Sequence, residues 1–183
     1  QILPFFENLE PCLVGIEACG TSHHWARELI KLGHYVKLIP PVYVKPYVKR
    51  GKSDAADAEA ICEAVTRPTM RFVEIKTPEQ QAILAVHRTR YLIVRQQTQT
   101  INMLRAQLAE FGVILPKGVR YALQFAKDCL NGEQPDLPEV AGDVIFELCE
   151  QLLFLHEKIA RCFRKMNQIA KLEVLCVDRV GTL

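Results

Sequence analysis

The sequence predicts an α/β unit over residues 1–76 and a long α-helical, coiled-coil segment over residues 77–175. Three observations carry this reading. Two short apolar runs of strand type, Leu13–Ile16 and Tyr35–Ile39, flank a segment of helix type. A capping signal, Thr77-Pro78-Glu79-Gln80, opens a stretch that can run as one helix to Phe111. Apolar residues then recur three and four apart from Ile145 to Ile169.

Composition agrees with a folded chain. Its 183 residues are 49% apolar and 24% charged, the balance of an ordinary globular protein and not of a disordered one. The length suits one domain with room for part of another. With Gly 9 and Pro 10, collagen-like and low-complexity chains are excluded. No apolar run approaches membrane-spanning length, so no membrane partner is expected. The first residues carry neither a basic leader nor an initiator Met, so the chain reads as processed or as a piece. Seven cysteines at wide spacings, with no C-x-x-C, point to a reducing cytoplasm rather than to zinc.

Net charge is only +2, but it is segregated. Lys31–Lys52 holds six basic residues and no acid, and Gln80–Ala109 holds four arginines and no acid. Asp128–Glu150 holds seven acids and no Lys or Arg. Such a chain has local basic fields despite its mild total.

Each element has a local reason. Leu13–Ile16 is a strand ending at Glu17, and Ala18-Cys19-Gly20 is a turn of small residues. Thr21 or Ser22 can cap a helix through about Leu32, with Trp25, Leu29 and Leu32 on its apolar face and Gly33 just past its end. Tyr35–Ile39 is the second strand, stopped by Pro40-Pro41. A strand–helix–strand order makes the two strands parallel neighbours. Val42–Lys52 reads as a basic loop. Ser53 starts a helix from Asp54 to about Thr66, and Met70–Ile75 is a short strand or extended connector.

In the helical segment, Thr77-Pro78-Glu79-Gln80 combines a capping residue, Pro at the first helical position and Gln three residues after the cap. Val94, Ile101, Leu104, Leu108 and Phe111 form an apolar stripe, with Gln97 as a polar seam position. Val119–Leu130 is a shorter helix. Ile145, Leu148, Leu152, Leu155, Ile159, Cys162, Met166 and Ile169 follow a heptad seam. A seam of this length requires a partner, either the first long helix in an antiparallel hairpin or another copy of the chain.

Three acids are candidates for chemistry. Asp54 and Asp57 lie three apart on one helix face, where two carboxylates can share a hard cation such as Mg²⁺. The competing reading is structural: Asp54 as a cap and Asp57 as a first-turn acid favoured by the macrodipole. Glu17 stands at the carboxyl end of a parallel-type strand, the edge where open α/β sheets bind ligands, or is simply a solvated strand end. His23, His24, His34, His87 and His156 are assigned no metal. Lys45, Lys49, Arg50 and Lys52, interleaved with Tyr43 and Tyr47, suit nucleic-acid phosphate with aromatic stacking, or form a solvated loop. Arg88, Arg90, Arg95 and Arg105 suit a helix surface, contacts to an acidic helix, or contacts to nucleic acid. Neither nucleotide-binding glycine fingerprint nor a serine-hydrolase elbow occurs.

Taken in order, Glu17-Ala18-Cys19-Gly20, His23-His24-Trp25-Ala26-Arg27-Glu28-Leu29, Gly33-His34, Pro46-Tyr47-Val48-Lys49 and Asp54-Ala55-Ala56-Asp57-Ala58-Glu59-Ala60-Ile61 resemble a bacterial insertion-sequence transposase of the IS-one-ten group. Arg67–Val73 and Thr77–Gln81 continue the likeness, which covers about residues 1–118. The resemblance implies a RuvC-like, RNase H-like domain with a D-E-D-D carboxylate set that binds Mg²⁺. Glu17 matches the Glu, and Asp54 and Asp57 match the last two Asp; these are the implied catalytic and metal residues. The first Asp falls upstream of Gln1. The group also has a C-terminal domain with a serine nucleophile, joined through a coiled coil, and Val177–Leu183 resembles its opening, with Arg179 where Gly is usual. Residues 176–183 are therefore expected to begin that domain.

The resemblance further implies DNA as partner, a guide RNA from the element, homo-oligomers formed through the coiled coil, and DNA recombination as the reaction. On this reading the chain is a transposase piece truncated at both ends. Without the first Asp and the serine domain it is not expected to complete recombination. The alternative is a non-catalytic helical dimerisation module whose acids act only as caps.

Overall fold

The computed structural model describes residues 2–48 and 53–180, with side chains of the last helix described as far as Ile169. It divides into two units, residues 1–80 and 81–183.

In the first unit, β1 (Leu13–Glu17) and β2 (Tyr35–Ile39) pair in parallel, in register from Leu13 opposite Tyr35 to Glu17 opposite Ile39. The right-handed crossover rule for such units explains why one helix, α2 (Ser22–Lys31), connects them. Side chains alternate along each strand, so the pair has two faces. On one, Val14, Ile16, Val36 and Leu38 pack with Ala26 and Leu29 of α2. On the other, Ile39 is buried with Ala60 and Ala64 of α4 (Asp54–Val65). Gly15 lies against α4 as well: a Cβ there would meet Ile61 Cγ2 at 2.9 Å and Val65 Cβ at 3.1 Å. Only a residue without a side chain lets helix and strand approach this closely.

Several local expectations hold in modified form. The α2 N-cap is Thr21, but its side chain makes no capping bond; Ser22 instead donates from Oγ to Cys19 O at 2.9 Å. Gly33 takes φ +94° just past the helix, as its position predicts. Val42–Lys52 was expected to be loop throughout. Its first part is helical: α3 (Pro41–Val44) runs into a 3-10 turn at Lys45–Tyr47. Pro41 at the first helical position and Pro46 in the next turn preset the backbone for this. Met70–Ile75 is an extended connector with one antiparallel bridge, Val73 N donating to Leu38 O at 2.7 Å.

One element had no sequence signal. Helix α1 (Ile2–Glu7) precedes the sheet. Buried His34 holds it there: Nε2 donates to Phe6 O at 3.0 Å, while Nδ1 accepts from Cys12 N at 3.2 Å. A carbonyl only accepts, so this geometry puts the proton on Nε2.

The second unit is helical. Long helix α5 (Pro78–Glu110) starts with the predicted capping box, Gln80 N donating to Thr77 Oγ1 at 3.2 Å and Thr77 N to Gln80 Oε1 at 3.0 Å. Within the unit, Ile101, Leu104 and Leu108 of α5 are buried with Ala122, Ala126 and Cys129 of α6 (Val119–Leu130) and Ile145, Cys149 and Leu152 of α7 (Glu139–Val180). Gln97 meets His156 at 3.3 Å, whereas Gln107 and Phe111 share a cavity with Val140 and Val144. Later residues of α5 thus face earlier residues of α7, which makes the two helices antiparallel.

The seam residues reach the core to different depths. Leu148 is half-buried and packs against it, and Cys149 beside it is fully buried. The third helix, α6, widens the buried stripe of α7 beyond the narrow seam of a two-helix pair. Past Leu155, the residues Ile159, Cys162, Met166 and Ile169 are half-buried. Among the described residues, no helix is long and apolar enough to cross a membrane.

Candidate functional site

Strand alternation places Glu17 on the same side of β1 as Gly15, the side that faces α4. Ala18 N donates to Ile39 O at 2.8 Å, so Glu17 is the last residue of a strand whose pairing is complete to its end. Its side chain is half-buried. On α4, Ser53 is the N-cap and its Oγ accepts from Ala56 N at 3.2 Å. This removes the reading of Asp54 as the cap. Asp54 and Asp57 are exposed first-turn acids, where the helix dipole favours them. Asp57, Ile61 and Val65 are spaced four apart, so Asp57 continues the stripe that packs on Gly15, and Asp54 lies one turn further out.

Glu17 is therefore on the side of β1 that α4 covers, while Asp54 and Asp57 stand exposed on the first turn of α4. They are not drawn together into a three-ligand cluster. Among the described residues, no three His, Cys, Asp or Glu side chains are placed to hold a metal ion. The donor chemistry suits Mg²⁺, which takes hard oxygens and commonly one or two protein carboxylates with other ligands completing the shell.

Basic residues frame a second feature of this unit. Lys45 is exposed on the 3-10 turn. Lys49, Arg50 and Lys52 lie outside the described residues. Two residues that sequence reasoning passed over complete the surface. Arg67 places its guanidinium over the Tyr47 ring, 5.6 Å from the centroid, and pairs with Glu63. Arg71 lines a cavity with Tyr43, Pro46, Tyr47, Thr69 and Met70. No local pattern would have found them, because the contact joins segments more than twenty residues apart.

The α2 end of the unit is structural. His23 Nδ1 accepts from Lys76 N at 3.2 Å and Arg27 donates to Lys76 O at 2.6 Å. Together they grip the backbone of one residue, Lys76, through both its N–H and its carbonyl. In the helical unit, Arg105 donates to Pro116 O, and Arg95 lies over Tyr91, so both have intramolecular roles. The Cys19 thiol, in the turn after Glu17, sits below its ordinary range, chiefly through a hydrogen bond with the Thr21 backbone. Cys149 is pushed up to about 12 by burial, with Cys129 beside it.

Comparison with known proteins gives these acids a context. Residues 4–112 match a family described as transposase. The chain belongs to the IS110 (IS-one-ten) DEDD transposase family. It is 47% identical over 168 residues to a "Probable family 20 transposase" of Pseudomonas aeruginosa, covering 91% of this chain and 50% of that one. It is 37% identical over 188 residues to the "Transposase for insertion sequence element IS1328" of Yersinia enterocolitica, covering 100% of this chain and 55% of that protein. It is 36% identical over 176 residues to the "Transposase for insertion sequence element IS1111A" of Coxiella burnetii, covering 96% and 48%. The chain spans about half the length of the curated relatives it matches. No solved structure matches it.

Proposed function

We propose that this chain is the carboxylate-bearing and helical part of an insertion-sequence transposase, and that its α/β unit is a partial RNase H-like, RuvC-like domain. Glu17, Asp54 and Asp57 are its share of a Mg²⁺ site, to which phosphate oxygens of the nucleic acid add further ligands. The observation that supports this is the packing of α4 on β1: Glu17 is on the α4 side of the strand, and Asp57 stands exposed one turn before Ile61, which meets Gly15. When bound, the ion supplies positive charge to phosphate oxygens. The chain's own residues present carboxylates on a rigid strand end and a capped helix turn, which fixes where those charges stand.

Lys45 and the segment Lys49, Arg50 and Lys52 bind nucleic-acid phosphate. The partners are the DNA of the element and its target, and a structured RNA from the element. The half-buried run Ile159, Cys162, Met166 and Ile169, beyond the three-helix core, is where another copy of the chain pairs.

Two titrations test the reading. Calorimetric titration of Mn²⁺ into wild type is expected to show uptake that Asp57→Asn weakens at least tenfold. Equal and negligible uptake by both would leave the helical-module alternative. For nucleic acid, Lys49→Glu with Arg50→Glu is expected to weaken binding and flatten its dependence on salt, because each lost phosphate contact removes about 0.7–0.9 from the slope. An unchanged slope contradicts the role given to this loop.

A further inference from the structure

We infer that the cavity between α3, the 3-10 turn and the connector after α4 receives one unpaired nucleobase of a single-stranded nucleic acid. The inference rests on the nucleic-acid part of the function proposed above and names the binding unit within it. The cavity measures about 290 Å³ and is lined by Tyr43, Pro46, Tyr47, Thr69, Met70 and Arg71. Its size is at the lower limit of small-molecule sites, so it suits a single ring system and not a polymer groove.

The chemistry of the lining selects the guest. Two phenol rings, a proline ring and a thioether are broad, polarisable surfaces of the kind on which bases stack. Among the described residues no acid lines it, which disfavours a cation or an amine. Thr69 lines it too and brings a hydroxyl, a hydrogen-bonding group of the kind the edge of a base requires. Tyr43 is 41% exposed, so it can be covered by a ligand without displacing protein. The Arg67 guanidinium over Tyr47, held by Glu63, steadies that ring from its other neighbours. Outside the cavity, Lys45 is exposed next to Pro46. A strand whose base enters the cavity thus meets Lys45 and Arg71 with its phosphates. A duplex cannot do this, because its bases are already stacked on each other.

The test is binding of fluorescein-labelled eight-nucleotide strands, oligo-dT and oligo-U, compared with a DNA duplex of the same length and with an abasic eight-nucleotide backbone. Wild type is expected to bind a single strand at least tenfold more tightly than the abasic strand and the duplex. The ratio of oligo-dT to oligo-U affinity tells whether the guest comes from DNA or RNA. Tyr43→Ala should lose about tenfold or more for the base-bearing strand, the weight of one base–aromatic stack, and nothing for the abasic one. Tyr43→Phe should retain wild-type affinity, and Arg71→Ala should lower the salt slope by about 0.7. If Tyr43→Ala binds like wild type while Lys49→Glu with Arg50→Glu weakens binding, the base cavity is refuted and the nucleic-acid surface stands. If wild type binds none of the strands at low salt, both are refuted.

Discussion

Replacing Gly15 with Ala loads the contact on which the layer between β1 and α4 depends. The added Cβ would stand 2.9 Å from Ile61 Cγ2 and 3.1 Å from Val65 Cβ. Ordinary carbon contacts lie at about 3.5–4 Å, so strand and helix must separate by roughly half an ångström or more. Overpacking of this kind costs about 1–3 kcal/mol. Removing a glycine from the unfolded chain returns about 0.4–1 kcal/mol, since Gly15 does not use the left-handed region. The net expectation is a loss of about 1–2 kcal/mol. For a unit of this size that lowers the melting temperature by about 5–15 °C. Urea denaturation followed by far-ultraviolet dichroism measures it. Ile61→Ala removes the clashing methyl, so the double variant should be more stable than the sum of the single losses predicts, by about 0.5–2 kcal/mol. Gly15→Ala at or above wild-type stability, or strict additivity with Ile61→Ala, refutes the claim that the missing side chain sets the spacing.

Other consequences can be checked alongside. Thr77→Ala removes half of the capping box and should cost about 0.5–2 kcal/mol, read as faster amide exchange in the first turn of α5. His34→Leu leaves Phe6 O and Cys12 N without their partner; a loss of about 1–3 kcal/mol and faster proteolysis of residues 2–12 are expected. Cys149 has its thiol raised from 9.0 to about 12, so the folded state favours the protonated form. Its contribution is complete below pH 9 and is lost as pH rises from 9 toward 12, by at most about 1.4 kcal/mol per pH unit; Cys149→Ala should flatten that decline. In native protein at pH 8, a thiol-labelling reagent should modify exposed Cys19, whose thiol is shifted downward, well before buried Cys149.

What was legible in the sequence followed local rules. The βαβ unit could be read because strand runs, a small-residue turn and Gly33 act over a few residues each. The capping box at Thr77 and Gln80 could be read for the same reason. Glu17, Asp54 and Asp57 could be placed on a strand end and a first helix turn, since those positions depend only on element boundaries. That α4 covers the strand face carrying Glu17 could not be read from spacing, because it depends on Gly15 being close to Ile61, a contact made by tertiary packing. The full burial of Cys149 beside the seam could not be read from the heptad for a related reason. A heptad assumes one partner, and α6 supplies a second. Helix α1 escaped notice because its anchor is His34, far along the chain, and not any pattern of its own. The cavity with Tyr43, Tyr47 and Arg71 joins two segments whose individual sequences read as a loop and a connector.

The central claim is that acids from β1 and α4 serve one ion. Paramagnetic broadening of amide resonances by Mn²⁺, at sub-stoichiometric concentration, tests it most directly. Signals of Glu17 and Ala18 should fade together with those of Asp54 to Asp57, and Asp57→Asn should spare both groups. Broadening confined to α4, or an unchanged effect at Glu17 in Asp57→Asn, contradicts a shared site.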